Sequence, residues 1–205
     1  MDRTIRSIIR ISTFITFSTL FFIIAYILIK GIPSLDLSLF QLEYTTENVS
    51  LFPAMVTTLM LIALTLIIAT PIGIFTAFYL VEYAKKDSKI VEAIRIATET
   101  LSGIPSIVYG LFGMLFFVIR LNFKYSLLAG ALTVGIMVLP LIIRTAEEAL
   151  LSVDNSLREA SFGLGAGKLR TIFRIVLPVA MPGILSGVIL SIGRIVGETA
   201  ALMFT

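Results

Sequence analysis

Two charged residues end an apolar stretch near the close of this 205-residue sequence. Residues 175–193 carry no charge, and Arg194 and Glu198 then follow four positions apart. On one uninterrupted helix this spacing puts both side chains on the same face, at the outer end of a membrane-crossing segment. A guanidinium is a forked donor that suits oxyanions, and a nearby carboxylate can hold it in place. The pair predicts a transport pathway or a contact with a partner, with a self-satisfied ion pair as the alternative.

A second group of candidates lies in residues 144–174, the longest segment that we expect on the cytoplasmic side. Ser156 and Glu159 have the spacing of a capping box, which predicts a short helix that starts at Ser156. A second helix with one apolar face begins at Lys168. The glycines that turn the chain between the two helices are Gly163, Gly165 and Gly167. We expect a helix–turn–helix elbow, or alternatively an amphipathic linker that lies on lipid headgroups.

Other chemistries are excluded by composition. The chain has no Cys and no His, which removes disulfides, thiolate nucleophiles, His bases and His-ligated zinc. A formal charge of +3 is too small to indicate a nucleic-acid partner. The glycine-rich segment before Lys168 is not a phosphate-binding loop, because Phe162 and Leu169 occupy positions that need Gly and Ser or Thr. We therefore expect no catalytic residues, no metal and no cofactor on this chain.

The elements that must position these residues are membrane helices. Hydrophobic residues make up 58% of the chain, charged residues only 14%, and the mean hydropathy is +1.04. Charges divide the sequence into uncharged stretches that are long enough to cross a bilayer, which needs about 20 residues. We predict an all-α membrane protein with helices near 8–30, 54–81, 99–119, 125–144 and 179–197. The first could instead be a signal peptide, but its apolar run is too long and no cleavage site follows it.

The distribution of basic residues predicts the orientation. With the N-terminus in the cytoplasm, twelve Lys and Arg residues fall on inner segments and four fall on outer positions, namely Lys30, Arg120, Lys124 and Arg194. The loop 31–50 contains Asp36, Glu43 and Glu47 and no basic residue after Lys30. This loop is expected outside.

Proline and glycine mark further features of the spans. Pro105 frees a backbone carbonyl in the third predicted span, so we expect the backbone there to line a cavity. A kink packed against neighbouring helices is the alternative. The glycine pairs expected to allow close helix packing are Gly183 with Gly187 and Gly193 with Gly197.

The elbow carries a recognisable pattern. Glu159-Ala160-Ser161, then Gly165, then Ile175, Leu177 and Pro178 fit E-A-A-x₃-G-x₉-I-x-L-P, with Ser161 in place of Ala. This pattern resembles the cytoplasmic signature loop of ABC importer permeases. The resemblance implies that the loop, with Arg158 and Glu159 at its rim, docks into an ATP-hydrolysing partner that binds ATP and Mg²⁺.

Two more segments resemble the A-type permease subunit of phosphate-specific (Pst) ABC importers. They are Gly103–Gly113 (GIPSIVYGLFG) and Arg194–Ala200 (RIVGETA). The resemblance implies a type I (MetI-like) permease fold of six helices, of which the last is missing here. It implies a phosphate pathway that includes Arg194, Glu198, Pro105 and Ser106. It also implies a C-type second permease subunit, two ATP-binding subunits and an extracytoplasmic phosphate-binding protein.

On this interpretation, residues 1–50 form an N-terminal membrane helix and outer loop. Residues 51–205 form a C-terminally incomplete permease domain, with the coupling loop at 144–178. Three alternatives stay open. The substrate could be another oxyanion such as molybdate, tungstate or sulfate. The chain could be an ion-coupled secondary transporter, although it lacks mid-span carboxylates and inverted repeats. It could also be a non-transporting fragment.

Overall fold

Helices account for almost all of the chain that the structure, a computed structural model, describes, namely residues 3–35, 37–42, 50–85 and 88–205. Asp36, Glu43 and Glu47 of the predicted outer loop lie outside these ranges, as does Lys86. The chain divides into two compact units, Met1–Met55 and Val56–Thr205.

The first unit is dominated by one apolar helix. Helix α1 spans Arg3–Gly31, and its side chains are exposed along the whole length. Its 29 residues extend over about 43 Å, more than the roughly 30 Å of bilayer hydrocarbon. Two short 3₁₀ turns follow at Ile32–Ser34 and Leu37–Phe40. An exposed apolar helix of this length is typical of a membrane span.

The described residues of the second unit contain seven further helices, and the first of them, α2, begins shortly before this unit. Three of them continue without a break through a π-helical turn. Their bounds are α2 Phe52–Phe78 with π turn Tyr79–Tyr83, α3 Lys89–Ser102, α4 Ser106–Gly113 with π turn Met114–Arg120, α5 Leu127–Leu151, α6 Asn155–Gly163, α7 Lys168–Thr171 with π turn Ile172–Val176, and α8 Leu177–Val196. A 3₁₀ turn at Leu202–Phe204 follows α8.

Helix α5 forms the centre of this unit. Its Val134, Met137, Val138 and Ile142 are almost completely buried and pack with residues of α2, α4 and α8. Leu150, near its other end, belongs to a second cluster that α2, the π turn after α7 and α8 complete. Since every other long helix keeps an exposed apolar face, α5 is the element around which the others are arranged.

The third predicted span, near 99–119, is interrupted at Pro105, where the sequence predicted non-helical backbone, and its first helix begins earlier, at Lys89. Helices α3 and α4 meet at an angle of 104° across Gly103–Pro105. Pro105 precedes the first residue of α4 and cannot donate a backbone hydrogen bond. The hydroxyl of Tyr109 instead donates to the carbonyl of Leu101, 2.6 Å away, at the end of α3. The proline therefore breaks the span, and Tyr109 satisfies a carbonyl at the break.

The bent pair still carries the chain from one end of α5 to the other. Arg95 of α3 contacts Glu147 near the C-terminal end of α5. Phe117 and Val118, after α4, pack with Ala129 near its N-terminal end. Among the described residues, four helices are long and apolar enough to cross a membrane, and there are five spans if the bent pair counts as one. The prediction of an all-α membrane protein is confirmed.

Helix α8 packs closely along α5 through two of the predicted glycines. A Cβ added at Gly183 would lie 2.6 Å from the Ala149 Cβ, and one at Gly187 would collide with the Thr145 hydroxyl. The packing prediction holds for this pair. Among the described residues nothing lies within 4 Å of a Cβ added at Gly193, so no described helix packs closely against that position.

Candidate functional sites: a charged cavity and an elbow

A cavity of about 360 Å³ lies between α3, α5 and α8 and is lined by six charged residues. The charged side chains that line it are Arg95, Arg144, Arg194, Glu99, Glu147 and Glu148. Uncharged lining residues include Ser102 and Pro140. Charged groups inside a membrane are costly, so such a cluster is usually paired or part of a pathway.

Two of the three arginines have carboxylate partners. Arg95 donates to Glu147 Oε1 through Nη2 at 2.6 Å and Nε at 3.1 Å. Arg144 contacts Glu148 at 3.3 Å, one helical turn away. Among the described residues, Arg194 has no ion-pair or hydrogen-bond partner, and its side chain is half-buried. Arg194 is therefore the one arginine lining the cavity that has no carboxylate partner among the described residues.

The sequence predicted Arg194 at the outer end of a membrane-crossing segment, but Arg194 does not lie at the outer end of the bundle. Because α8 is antiparallel to α5, each turn along α8 moves back along α5, from Ala149 opposite Gly183 to Thr145 opposite Gly187. Arg194 then reaches the cavity beside Pro140, near the middle of α5. Arg194 is in the last turn of α8, and this end of α8 lies beside the middle of α5.

The expected pair of Arg194 with Glu198 is also absent. Helix α8 ends at Val196, so Glu198 lies beyond it and is not on the same helical face. Glu198 Oε1 instead accepts a hydrogen bond from the Ala201 backbone N–H at 2.9 Å. In the described structure the carboxylate stabilises a turn and leaves the guanidinium free.

This turn brings the two sequence segments together. A Cβ at Gly110 of α4 would lie 2.8 Å from the carbonyl oxygen of Ala201 and 2.9 Å from its Cα. At Gly113 it would collide with Thr133 of α5 and approach Thr205. The glycines of the GIPSIVYGLFG segment therefore provide the space into which the residues after α8 fold. The sequence analysis did not foresee this contact.

Pro105 and Ser106 do not line the charged cavity. Pro105 is exposed and Ser106 is half-buried at the start of α4. Their effect on the cavity is indirect, because the bend at Pro105 turns α3 towards Glu147 of α5.

The elbow, formed by α6, α7 and the π turn that follows, has two well-defined helix ends. The Asp154 side chain accepts from the Ser156 N–H at 2.8 Å, so α6 begins after Asp154. The predicted capping box at Ser156 is therefore wrong. At the other end Gly165 has φ of +81°, which favours glycine, and its N–H and that of Ala166 bond back to Phe162 and Ser161.

The serine that departs from the E-A-A pattern has a specific partner. Ser161 Oγ and Thr171 Oγ1 are 2.8 Å apart, and both residues are buried. This bond joins α6 to α7. The substitution of Ser for Ala therefore adds a polar link inside the elbow.

The remaining residues of the pattern differ in exposure. Glu159 and Ala160 are exposed, Ile175 and Leu177 are half-buried, and Pro178 is exposed. A groove of about 510 Å³ beside them is lined by Leu157, Ala160, Ser161, Leu164, Ala166, Arg170, Arg174 and Ile175.

Arg158 is not at the rim where it was expected to pair with Glu159. Its guanidinium turns inward to Glu82 of the π turn after α2, with Nη2 at 2.9 Å from Oε1. Within the described ranges, no three acidic side chains come close enough together to hold a metal ion.

Comparison with known proteins gives consistent similarities. A family described as "Binding-protein-dependent transport system inner membrane component" matches residues 69–205. The chain is 44% identical over 137 residues to "Phosphate transport system permease protein PstA 1" of Mycobacterium tuberculosis (strain CDC 1551 / Oshkosh), covering 67% of this chain and 44% of the relative. It is 35% identical over 197 residues to the PstA of Haemophilus influenzae, covering 95% and 69%.

A third relative is "Probable ABC transporter permease protein YqgI" of Bacillus subtilis, 35% identical over 188 residues, with 88% of this chain and 62% of the relative covered. The chain thus spans between 44% and 69% of the length of these three relatives. Among solved structures, an inward-facing form of the MetNI methionine ABC transporter matches with a TM-score of 0.61 at 21% identity, covering 74% of this chain and 70% of that chain. This likeness shows that the fold is of the methionine-transporter permease type.

Proposed function

The chain belongs to the family of binding-protein-dependent transport system inner membrane components, and we propose that it forms part of the phosphate pathway of an ATP-driven importer. The multi-pass helical fold supports a transport role. The phosphate permeases among the relatives support the choice of substrate.

The observation that carries this proposal is the free guanidinium of Arg194 in the charged cavity. Arg95 and Arg144 are engaged by Glu147 and Glu148, so their charges are largely compensated. Arg194 can offer parallel N–H donors to two oxygens of an anion without first breaking an ion pair. The compensated pairs limit the positive field of the cavity, which favours release of the anion over trapping.

The position of Glu99 favours phosphate as the substrate over oxyanions that carry no proton. It lines the same cavity, and its side chain has no ion pair among the described residues. A carboxylate repels sulfate, but it accepts a hydrogen bond from phosphate, which keeps a proton at neutral pH. We propose that Arg194 provides affinity for the anion and Glu99 provides discrimination.

The elbow is the proposed contact with the ATP-hydrolysing partner. Glu159 and Ala160 are exposed beside the groove, and the small Ala160 side chain permits close approach of another subunit. ATP and Mg²⁺ would then bind to that partner and not to this chain. The proposed assembly has a second permease subunit of the C-type, two ATPase subunits, an extracytoplasmic phosphate-binding protein and surrounding lipid.

The proposed orientation places the N-terminus and the elbow in the cytoplasm. Arg194 no longer counts as an outer basic residue, because the structure places it in the cavity with Arg95 and Arg144. The remaining bias is twelve inner against three outer basic residues by sequence. The end of α2 and the elbow lie at the same end of the second unit, since Glu82 contacts Arg158.

Phosphate uptake by the reconstituted transporter tests this function. The chain would be assembled with its partner permease, ATPase and binding protein in proteoliposomes, and ATP-dependent uptake of radiolabelled phosphate would be measured. A charged hydrogen bond contributes about 1.5–3 kcal/mol, so Arg194→Ala should lower uptake at least about tenfold. Arg120→Ala is the matched control, because Arg120 is exposed and outside the cavity.

The same vesicles test the choice of substrate. Excess sulfate or molybdate should compete poorly with phosphate in the wild type and more strongly in Glu99→Gln. Unchanged uptake in Arg194→Ala would contradict the pathway. If unlabelled phosphate, sulfate and molybdate competed equally in the wild type, phosphate selectivity would be contradicted.

A further inference from the structure

Arg158 uses its whole guanidinium inside this chain. Nε and Nη2 both reach Glu82 Oε1, at 3.0 and 2.9 Å. Nη1 donates to the Val153 carbonyl at 2.7 Å and to Asn155 Oδ1 at 3.3 Å, and Nη2 also donates to the Leu150 carbonyl at 2.9 Å. These contacts occupy all five N–H donors of the side chain. Arg158 has no donor left for another subunit.

The Arg158–Glu82 pair is buried on both sides. The exposed fractions of the two side chains are 13% and 8%. Burial of two charges is costly, so such a pair adds little stability compared with apolar side chains of similar size. What it provides is one defined geometry, because five directed bonds fix the guanidinium plane. The burial therefore points to positioning and not to stability.

The pair joins three elements that are distant in the sequence. Glu82 is in the last turn of the α2 segment, 76 residues before Arg158. Leu150 is at the end of α5, Val153 follows this helix, and Arg158 itself is in α6. A single side chain thus connects the elbow to the ends of two membrane helices.

The second helix of the elbow contacts the same end of α2. Lys168 Nζ lies 4.5 Å from the centre of the Tyr83 ring, and the Phe78 and Phe173 rings are 6.5 Å apart. The Ser161–Thr171 bond prevents the two elbow helices from moving independently. The elbow and the ends of α2 and α5 therefore form one block.

We propose that Arg158 and Glu82 are positioning residues that convert displacement of the elbow into movement of α2 and α5. This inference rests on the proposed function, in which the elbow receives an ATPase subunit. Glu159, which is exposed beside Arg158, remains the residue that faces this partner. Without the pair, the elbow still binds the ATPase, but its movement is no longer passed fully to the helices.

Transport per ATP hydrolysed is the quantity that tests this role. In the reconstituted transporter, Glu82→Ala should lower phosphate uptake per ATP at least fivefold, while co-purification with the ATPase stays within twofold of wild type. Arg158→Lys and Glu82→Gln keep part of the geometry and should give intermediate ratios. Glu92→Ala removes an exposed glutamate of α3 and should leave the ratio unchanged.

A double variant separates positioning from stability. Glu82→Leu with Arg158→Met replaces the ions with apolar side chains, a change that often leaves stability intact. We expect this variant to assemble with the ATPase and to remain poorly coupled. Uptake per ATP within twofold of wild type in this double variant would overturn the proposal. Glu159→Lys reverses the charge of the residue that faces the ATPase and serves as the reference for lost binding. An equal loss of ATPase binding in Glu82→Ala would also overturn the proposal.

A distance measurement tests the block without transport. The chain has no Cys, so Phe75→Cys on α2 and Leu164→Cys in the elbow introduce the only two thiols for spin labels. Both positions are exposed, at 65% and 89%. Glu82→Ala should at least double the width of the distance distribution, and Glu92→Ala should not. An unchanged width in Glu82→Ala would overturn the inference. Absence of any ATP-dependent uptake by the wild type would instead reject the proposed function.

Discussion

The close contact of α8 with α5 at Gly183 allows a quantitative prediction. In Gly183→Ala, the new Cβ would lie 2.6 Å from the Ala149 Cβ and 3.4 Å from its Cα. Carbon atoms pack best at about 3.5–4.0 Å, so the helices must separate by about 1 Å. Ala149 cannot rotate away, because its side chain is a single methyl group. We expect an overpacking cost of about 1–3 kcal/mol.

Helix propensity must be separated from this cost. Alanine is favoured over glycine in a helix by about 1 kcal/mol, which offsets part of the loss in Gly183→Ala. Gly193→Ala in the same helix receives the same benefit and meets no atom within 4 Å. The difference in unfolding free energy between the two variants should therefore equal the overpacking cost.

The assay is reversible unfolding in mixed micelles with an increasing fraction of denaturing detergent. The chain has no Trp, so circular dichroism of the helices is the appropriate signal. Ala149→Gly should rescue Gly183→Ala, with a coupling free energy of about 1–3 kcal/mol, as expected for residues in contact. Equal stability of Gly183→Ala and Gly193→Ala, or a coupling of zero, would refute the reasoning.

Three further predictions concern the turn after α8 and the elbow. Gly110→Ala puts a Cβ 2.8 Å from the facing backbone and should cost about 1–3 kcal/mol in the same assay, so a neutral result would contradict the docking of that turn. Thr171→Val leaves the buried Ser161 hydroxyl without its partner and should cost about 1–3 kcal/mol; adding Ser161→Ala should recover most of the loss, and no recovery would argue against the bond. The hydrogen bond from the Ser156 N–H lowers the pKa of Asp154, so its stabilising effect is complete above the unfolded pKa of about 3.9 and disappears as the pH falls through the lower folded pKa. Hydrogen exchange at the start of α6 should therefore accelerate in acid in the wild type, relative to Asp154→Asn, and identical profiles would contradict the charged cap.

Charge spacing predicted most of the helices, for a physical reason. Charged side chains are expensive in hydrocarbon, so uncharged stretches mark spans. This logic located α8 and the start of α5 closely, whereas α5 continues seven residues past the predicted end at 144. Pro105 indicated the interruption between α3 and α4. The 104° angle at that break was not predictable, because it depends on how α4 packs on α5.

Charge spacing gave a wrong position for Arg194, whose side chain lines a cavity. Arg194 was assigned to the outer end of the bundle because charges usually mark the ends of spans. It is in the last turn of α8, but that turn lies at a cavity beside the middle of α5. The pairing with Glu198 assumed a helix that continues through Gly197, but α8 ends at Val196.

The elbow shows the limits of local reasoning. Asp154 is a preferred N-cap type, so the true start of α6 could have been found by weighing it against Ser156. No local pattern links Arg158 to Glu82, because 76 residues separate them. Long-range ion pairs of this kind become visible only once the helices are packed.

The helix that continues without a break from α7 through α8 can act as a lever arm. The helix is continuous from Lys168 in the elbow to Val196, two residues beyond Arg194. At 1.5 Å per residue the arm from Lys168 to Arg194 is about 40 Å long. A rotation of only about 5° at the elbow end displaces Arg194 by about 3 Å over an arm of that length. Such a displacement exceeds the tolerance of a hydrogen bond, so a small tilt is enough to make or break the contact of this guanidinium with an anion.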